Sequence, residues 1–182
     1  MKKVDDKAIW NLLQSEKTRE HAFALIVKTY TEMVYWKIRH IVLNHDDADD
    51  ILQNTFLKAW NNIQSFQNKS RLSTWLCSIA IHESLDFLRK KKRDASAASD
   101  ELSVANQLMA DEYFDGDEAH ALLQQAIALL PDVQKTVFCL RYYDNMKYSE
   151  MAQILHTSEG ALKASYHIAV TKITSYLKLK ES

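Results

Sequence analysis

Residues 46–93 read DDADDILQNTFLKAWNNIQSFQNKSRLSTWLCSIAIHESLDFLRKKKR, and the pattern of these residues indicates the fold class most directly. Apolar or small side chains recur in its first part at alternating steps of three and one, which is the spacing of one face of a helix and not of a strand. The acids Asp46 and Asp47 suit a helix N-cap and the positive end of the helix dipole. We expect a buried stripe made of Ala48, Ile51, Leu52, Thr55, Phe56, Ala59, Trp60 and Ile63.

The opposite face of this predicted helix is polar with one exception. It carries Asp49, Asp50, Gln53, Asn54, Leu57 and Lys58. A leucine among acids and amides is unusual on an exposed surface. A polar and basic loop follows at residues 65–71, and a second helix is predicted from about Leu72. That helix ends in five cations at residues 89–93, where a polyanion could lie; a merely solvated helix end is the alternative interpretation.

The composition favours an all-α protein of two small domains. The chain has 182 residues with only two Gly and one Pro, too few turn residues for a fold of many hairpins. The net charge of −1 does not by itself indicate a nucleic-acid binder. However, residues 94–118 contain eight acids and no Lys or Arg, and these acids offset the charge of basic residues elsewhere in the chain. We therefore predict a first domain at residues 1–93, a flexible acidic linker at 94–117 and a second domain at 118–182.

The second half contains the pattern of a helix-turn-helix. A short apolar helix ends at His156 and Thr157, and a long helix follows with a serine at its start. Its inner stripe is predicted to be Leu162, Tyr166, Ala169, Ile173 and Leu177. The outer face, which could enter a major groove, then carries Ser158, Glu159, Gly160, Lys163, Ala164, His167 and Thr171.

Several classes of function find no support in the residues. No Gly-rich phosphate loop, nucleophile with a base, or metal-spaced His and Cys set is present, so we predict no enzyme, no metal and no cofactor. Cys77 and Cys139 lie in apolar helical patterns and are expected to be reduced core residues. The N-terminus lacks an apolar signal region and no run of 18 apolar residues occurs, so a cytoplasmic protein without membrane insertion is expected.

Both halves resemble the bacterial sigma factors of the small extracytoplasmic-function (ECF) group. The first half matches region 2 in its D-A-x-D-x-x-Q helix at 47–53, its F-x-x-x-S-x-L-x-T-W-L segment at 66–76 and its D-F-L-R at 86–89. The second half, LPDVQKTVFCLRYYDNMKYSEMAQIL followed by SEGALKAS, resembles region 4 at the expected order and distance. Together the resemblance covers most of the chain, from residue 22 to about residue 177.

The resemblance implies a transcription initiation factor that binds core RNA polymerase. The polar face Asp49, Asp50, Gln53, Asn54, Leu57 and Lys58 would dock on the clamp helices of the largest subunit, with Leu57 as the apolar anchor. The −10 element, as duplex and as melted strand, would be bound by Phe66, Asn68, Lys69, Ser70, Arg71, Thr74, Trp75, His82, Glu83, Asp86 and Arg89. The −35 duplex would be read by Ser158, Glu159, Gly160, Lys163, Ala164 and His167. An anti-sigma factor is a further partner that the family implies.

The sequence also departs from the family pattern. His156 stands where Gly is common, Lys147 stands at a Ser or Thr cap, and Ile81-His82 replaces Arg-Asn. Arginines are common at the positions of Ser165, Ile168 and Val170. The missing arginines bear on how tightly the second domain holds phosphates, but not on its fold.

Two other functions remain open from the sequence. A helix-turn-helix regulator that is not a polymerase subunit would need a receiver or ligand domain in front, and residues 1–93 show no βα alternation. A helical adaptor that binds only protein is the other alternative. Transcription with added core polymerase distinguishes all three.

Overall fold

The structure is a computed structural model and describes residues 6–66, 70–94 and 118–180. Within these ranges it contains eight α-helices, one short 3₁₀ helix and no strand, which confirms the all-α prediction. The helices are α1 (Asp6–Leu13), α2 (Glu16–Val42), α3 (His45–Asn62), α4 (Leu72–Asp94), α5 (Glu118–Ala128), α6 (Asp132–Tyr142), α7 (Tyr148–Leu155) and α8 (Glu159–Lys180), with the 3₁₀ helix at Ile63–Ser65. The predicted linker lies almost wholly outside the described residues.

Helices α1–α4 form the first group, in which α2, α3 and α4 all pack against one another and α1 packs on α2. The cap of α3 is Asn44, whose side chain accepts a hydrogen bond from the Asp47 N–H at 2.9 Å. The prediction of an aspartate cap was therefore wrong by two or three residues. Asp46 and Asp47 lie in the first turn, where they still face the positive end of the helix dipole.

The predicted stripe of α3 is divided between core and surface. Ala48, Ile51, Thr55 and Ala59 are buried, and Ile63 continues this row in the 3₁₀ helix. Leu52, Phe56 and Trp60, which lie one residue further round the helix, are only half-buried. The buried row is narrow because three of its members are small, and this lets α2 and α4 both lie close to α3.

Helices α5–α8 form the second group, whose core includes Ile127, Leu130, Phe138, Ala169 and Ile173. Helix α7, a turn and helix α8 make the predicted helix-turn-helix. His156 takes the left-handed conformation (φ 50°, ψ 46°) that ends α7, where glycine is common. The Ser158 hydroxyl accepts a hydrogen bond from the Ala161 N–H at 3.2 Å, so the predicted serine cap is confirmed.

The two groups also pack against each other, mainly through α2 and α6. Leu43, which ends α2 in the left-handed conformation (φ 65°), belongs to the apolar cluster of the second group. Lys37 of α2, only 5% exposed, forms an ion pair with Asp144 at 2.5 Å. His40 of α2 stacks on Tyr143, with 4.0 Å between ring centroids.

The environment of His40 makes the packing of the two groups sensitive to pH. Burial lowers the pKa of His40 from the ordinary value of 6.5, and the charges of Lys37, Arg39 and His120 lower it further, while Asp144 acts in the opposite direction. The buried Nδ1 atom of His40 has no hydrogen-bond partner among the described residues. The folded protein therefore favours the neutral ring.

We expect the stabilising contribution of neutral His40 to be complete above about pH 6.5 and to decrease as the pH falls below that value, because the unfolded chain then binds the proton more readily. His40→Phe preserves an aromatic ring for the stack but cannot be protonated. Thermal unfolding followed by circular dichroism should show a smaller loss of melting temperature between pH 7 and pH 5.5 for His40→Phe than for the wild type. Parallel curves for the two proteins would contradict this account.

Candidate nucleic-acid and protein interfaces

The polar face of α3 is displayed to solvent. Leu57 is 61% exposed, and Asp50, Gln53 and Asn54 are also exposed. Asp49 is half-buried and lies 3.5 Å from the His45 ring nitrogen. Lys58 points to the other side of α3, where it pairs with Glu83 of α4. The structure thus keeps five of the six predicted docking residues on one continuous surface and places Lys58 at its border with α4.

An apolar groove of about 690 Å³ runs between α2 and α3 beside this face. Gln53 and Leu57 form one edge of the groove, and its wall is aromatic. The centroid of the Phe23 ring lies 5.0 Å from that of Trp60 and 6.4 Å from that of Phe56, both in edge-to-face geometry. Phe56 and Trp60 were predicted to belong to the buried stripe. The i, i+4 series of Leu52, Phe56 and Trp60 was the available signal, since it lies on the flank of the stripe closest to Gln53 and Leu57.

A second pocket, of about 330 Å³, lies between the end of α3 and the middle of α4. It has an aromatic and an apolar wall and a polar rim, made of Trp75, Ile79, Lys58, Asn62, Ser65, His82 and Glu83. Of these lining residues, Trp75, His82 and Glu83 were predicted for the −10 site and Lys58 for the docking face, whereas Asn62, Ser65 and Ile79 were not predicted for any site. Nothing in their spacing separates them from ordinary residues of a helix end, and only the packing of α3 on α4 brings them together.

Phe66 requires a correction. It is 5% exposed and packs between the rings of Trp10 and Trp75, at 5.6 and 5.1 Å between centroids. Phe66 is therefore a core residue that supports Trp75 and does not present its ring to a base. Ser70 and Arg71 are exposed and Thr74 is half-buried, whereas Asn68 and Lys69 lie outside the described residues.

The basic end of α4 is only partly available to a polyanion. Lys91 pairs with Asp47 of α3 at 2.7 Å and lies over the Phe87 ring, so it ties α4 to α3. Arg89 pairs with Asp86 at 2.9 Å, and both are exposed. Arg89, Lys92 and Arg93 surround a shallow depression with Asp86, which leaves a cationic surface on the outer side of the helix.

The outer face of α8 carries the residues that were predicted to read the −35 element. Ser158, Glu159, Gly160, Lys163, Ala164 and His167 are all exposed. Lys163 lies 3.7 Å from the Glu159 carboxylate and 5.7 Å from the centroid of the Tyr148 ring, so its ammonium is held above the first helix of the motif. A methyl group on Gly160 would meet only the Ser158 hydroxyl, at 4.0 Å, so nothing inside the fold requires glycine there.

The sequence is 34% identical over 164 residues to the ECF RNA polymerase sigma factor SigW of Bacillus subtilis, an alignment that covers 85% of this chain and 88% of the relative. The chain belongs to the ECF sigma factors. It is a promoter-specific transcription initiation factor that works with RNA polymerase. Two family descriptions match it separately, Sigma-70 region 2 at residues 26–94 and Sigma-70, region 4 at residues 120–173.

Solved structures show the same fold at low identity. The sigma factor RpoE of Bartonella quintana, in complex with the anti-sigma factor NepR, is 21% identical with a TM-score of 0.65, and the match covers 86% of this ECF factor and 96% of RpoE. CnrH, in complex with the cytosolic domain of CnrY, is 19% identical with a TM-score of 0.67 and coverage of 96% and 97%. Both comparisons support the helical architecture.

Two further features of the described residues concern membrane insertion and the surface of α8. No helix in the described ranges is long and apolar enough to cross a membrane. Ile168 and Val170, which stand at positions where arginine is common, are exposed on α8. Their side chains are apolar and cannot form an ion pair with a phosphate.

Substitution of Gly160 should affect the stability of the fold and the affinity for DNA in opposite directions. We expect Gly160→Ala to stabilise the protein by roughly 0.5 to 1 kcal/mol, because alanine has the higher helix propensity and meets no steric conflict here. If α8 enters a major groove at Gly160, the same change weakens binding to promoter duplex. Thermal unfolding and a gel-shift titration measure the two effects, and Thr174→Ala, on the exposed part of α8, is the control. Stronger or equal DNA binding by Gly160→Ala would exclude close backbone approach at this position.

Proposed function

We propose that residues 1–93 bind core RNA polymerase and the −10 element, that residues 118–182 bind the −35 element and that residues 94–117 connect the two. The observation that supports this division best is the close grouping of three features on α3 and α4. These are the exposed α3 face around Leu57, the pocket beside Trp75, and the cationic end of α4. The exposed apolar and polar α3 face suits a clamp helix of the polymerase. The pocket beside Trp75 suits an unstacked base, and the cationic end of α4 suits a phosphate backbone.

Polymerase binding is assigned to Asp49, Asp50, Gln53, Asn54, Leu57 and Lys58. The exposed Leu57 side chain would supply apolar burial on docking, and the carboxylates and amides around it would pair with polar groups of the partner. The aromatic groove between α2 and α3 extends this surface. Lys58 lies at the border of this surface, where its ammonium pairs with Glu83 of α4.

Capture of a melted base is assigned to the pocket beside Trp75. Trp75 offers a stacking wall, and Asn62, Ser65 and Glu83 offer polar groups that can contact a base edge. Residues 68–71, which precede α4 in the sequence, would hold the flanking phosphates. Thr74 and His82 would contact the melted strand, and Asp86 and Arg89 would lie along the duplex. Base capture offsets the few kcal/mol that unstacking costs.

Recognition of the −35 element is assigned to the outer face of α8. The small side chains of Gly160 and Ala164 would let the helix backbone approach the DNA closely. Lys163 can reach a phosphate or a guanine edge, and His167 lies one turn further along. Because Ile168 and Val170 replace cations, we expect this ECF factor to depend more on base contacts than on phosphate contacts.

In this proposal the protein is a binding subunit without catalytic activity of its own, and it needs no cofactor. Within the described parts of the chain, no group of three or more His, Cys, Asp or Glu side chains is arranged to hold a metal. One structural neighbour is the sigma factor RpoE in complex with the anti-sigma factor NepR, and another is CnrH in complex with the cytosolic domain of CnrY. By analogy an anti-sigma factor would bind this chain too. Its place of action would be the cytoplasm, with RNA polymerase.

The alternative of a regulator that is not a polymerase subunit is tested directly. Purified protein and core polymerase should give run-off transcripts from a promoter selected out of a DNA library, and neither component alone should. A regulator would instead need holoenzyme already loaded with another sigma factor, and a protein-binding adaptor would give no transcript with core enzyme alone.

The α3 surface generates a sharp prediction. Leu57→Lys should reduce affinity for core polymerase by at least about tenfold, because a central apolar anchor of an interface commonly contributes 1–2 kcal/mol or more. Asp50→Ala and Gln53→Ala should have smaller effects in the same direction. Pull-down with core enzyme gives the affinity, circular dichroism verifies the fold, and Lys28→Ala on exposed α2 is the control. Unchanged affinity in all three variants would reject the surface.

Residues 68–71 should act in strand opening and not in duplex binding. Replacing Asn68, Lys69, Ser70 and Arg71 by alanine or glycine should leave closed-complex formation nearly intact and should reduce permanganate reactivity of unpaired thymines at the −10 element. On a template already unpaired there, transcription should recover only in part, since the unstacking cost is removed but base capture is not restored. Normal thymine reactivity in the variant would return this segment to an ordinary polar connector.

A further inference from the structure

A row of three aromatic rings leads from α1 to the pocket beside Trp75. The Phe66 ring is buried, with its centroid 5.6 Å from that of Trp10 at an interplanar angle of 80° and 5.1 Å from that of Trp75 at 40°. Trp75 lines the pocket, whereas Phe66 and Trp10, both within the described ranges, do not. Trp10 is therefore connected to the pocket through the other two rings.

Helix α1, which carries Trp10, is not assigned to any contact in the function proposed above. It also lies outside the residues that match Sigma-70 region 2, which are residues 26–94. Ile9 and Leu13 of α1 are buried and one turn apart, so they attach the helix to the core. Trp10 lies beside this stripe, is only half-buried, and meets the Phe66 ring edge-on.

Two hydrogen bonds hold α1 on α2 without a contribution from Trp10. At the start of α1 the Tyr30 hydroxyl donates to the Asp6 carboxylate. At its end the Thr18 hydroxyl donates to the Leu12 carbonyl oxygen at 2.6 Å. Because these bonds and the apolar stripe fasten the helix, we expect α1 to stay docked when the Trp10 ring is removed.

A stacking wall needs a ring held in the orientation that a base requires, and packing behind the ring provides this. The main chain of Trp75 is fixed by α4, where its N–H donates to the Arg71 carbonyl oxygen at 3.1 Å and its carbonyl accepts from the Ser78 hydroxyl at 2.7 Å. These bonds do not fix the indole. The buried Phe66 ring lies against it, and the other neighbour of Phe66 in the row is Trp10.

We propose that Trp10 is a positioning residue for base capture. Its indole holds the Phe66 ring in place, and Phe66 in turn sets the orientation of the Trp75 indole toward the melted base. The inference rests on the function proposed above, because it requires Trp75 to be the stacking wall. Helix α1 then belongs to the −10 site although Trp10 does not touch DNA.

The test compares variants of the full chain, bound to core polymerase, on a promoter selected from a DNA library. Trp10→Ala removes the support, and Trp10→Phe retains a ring that can still meet Phe66. Leu12→Ala removes a half-buried apolar side chain from the same helix and leaves the row of rings intact, so it is the matched control. Trp75→Ala removes the stacking wall, alone and combined with Trp10→Ala. Permanganate reactivity of unpaired thymines at the −10 element measures the equilibrium between closed and open complexes.

We expect Trp75→Ala to lower the equilibrium constant for strand opening by about tenfold or more, because it removes base–aromatic stacking. Trp10→Ala should lower it by roughly threefold or more, a usual size for coupling between contacting side chains. Trp10→Phe should recover most of this loss, and Leu12→Ala should match the wild type. In the Trp75→Ala background Trp10→Ala should have no further effect, because the ring on which it acts is absent. Affinity for core polymerase should stay the same in every variant.

Opening by Trp10→Ala that equals the wild type overturns the proposal, and so does an equal loss in Leu12→Ala. An equal effect of Trp10→Ala with and without Trp75 also overturns it, since a residue that only stabilises the fold behaves in this way. Circular dichroism and thermal unfolding verify that each variant is folded at the assay temperature. If Trp10→Ala does not fold, Trp10→Leu, which retains more apolar volume, replaces it in the same comparison. Normal opening by Trp75→Ala would instead reject base capture at this pocket, and with it the role of Trp10.

Discussion

The close packing of α3 between α2 and α4 is the constraint on which the first group depends. Its buried row is made of Ala48, Ile51, Thr55 and Ala59, and the small members allow the neighbouring helices to approach. The Thr55 hydroxyl is buried without a hydrogen-bond partner in the described part of the chain, a group whose desolvation costs about 1–3 kcal/mol. A narrow buried row leaves most of the α3 circumference outside the core, and that remainder carries both the polar docking face and the aromatic groove.

Three ion pairs join residues that are distant in the sequence. Lys91 meets Asp47 across α3 and α4, Lys58 meets Glu83 across the same pair of helices, and Lys37 meets Asp144 between the groups. The exposed pairs add little to stability, since such bridges contribute about 0–1 kcal/mol. Their effect is mainly geometrical, because they fix which cations turn inward and which remain at the surface for a polyanion.

The features that follow from local periodicity were predictable from the sequence. In α8 the buried positions Leu162, Ala169 and Ile173 are those expected, and the Ser158 cap and the exposed recognition face follow from the same spacing. The α3 stripe was correct in phase but too wide, since hydrophobicity alone does not tell a core aromatic residue from one that lines a groove. Phe66 was assigned to DNA binding from its position in the family motif. Its burial between Trp10 and Trp75 depends on tertiary packing, which local periodicity does not predict.

The contacts between the groups could not be predicted in the same way. The members of the Lys37–Asp144 pair are separated by 107 residues, and no local pattern relates them. The pocket beside Trp75 likewise depends on how two helices meet. Sequence reasoning therefore identified the helices and their faces, whereas the arrangement of one group on the other required the structure.

Leu43 shows how far the two groups depend on each other during folding. A bulky residue in the left-handed conformation is strained, and the surrounding structure has to compensate. The compensation comes from the second group, in whose apolar cluster the Leu43 side chain is buried. The core of residues 118–180 is thus completed by the side chain of the residue that follows α2, and a fragment lacking residue 43 would have a cavity of the size of a leucine side chain. The native chain should consequently unfold in one cooperative transition, although it reads as two successive domains.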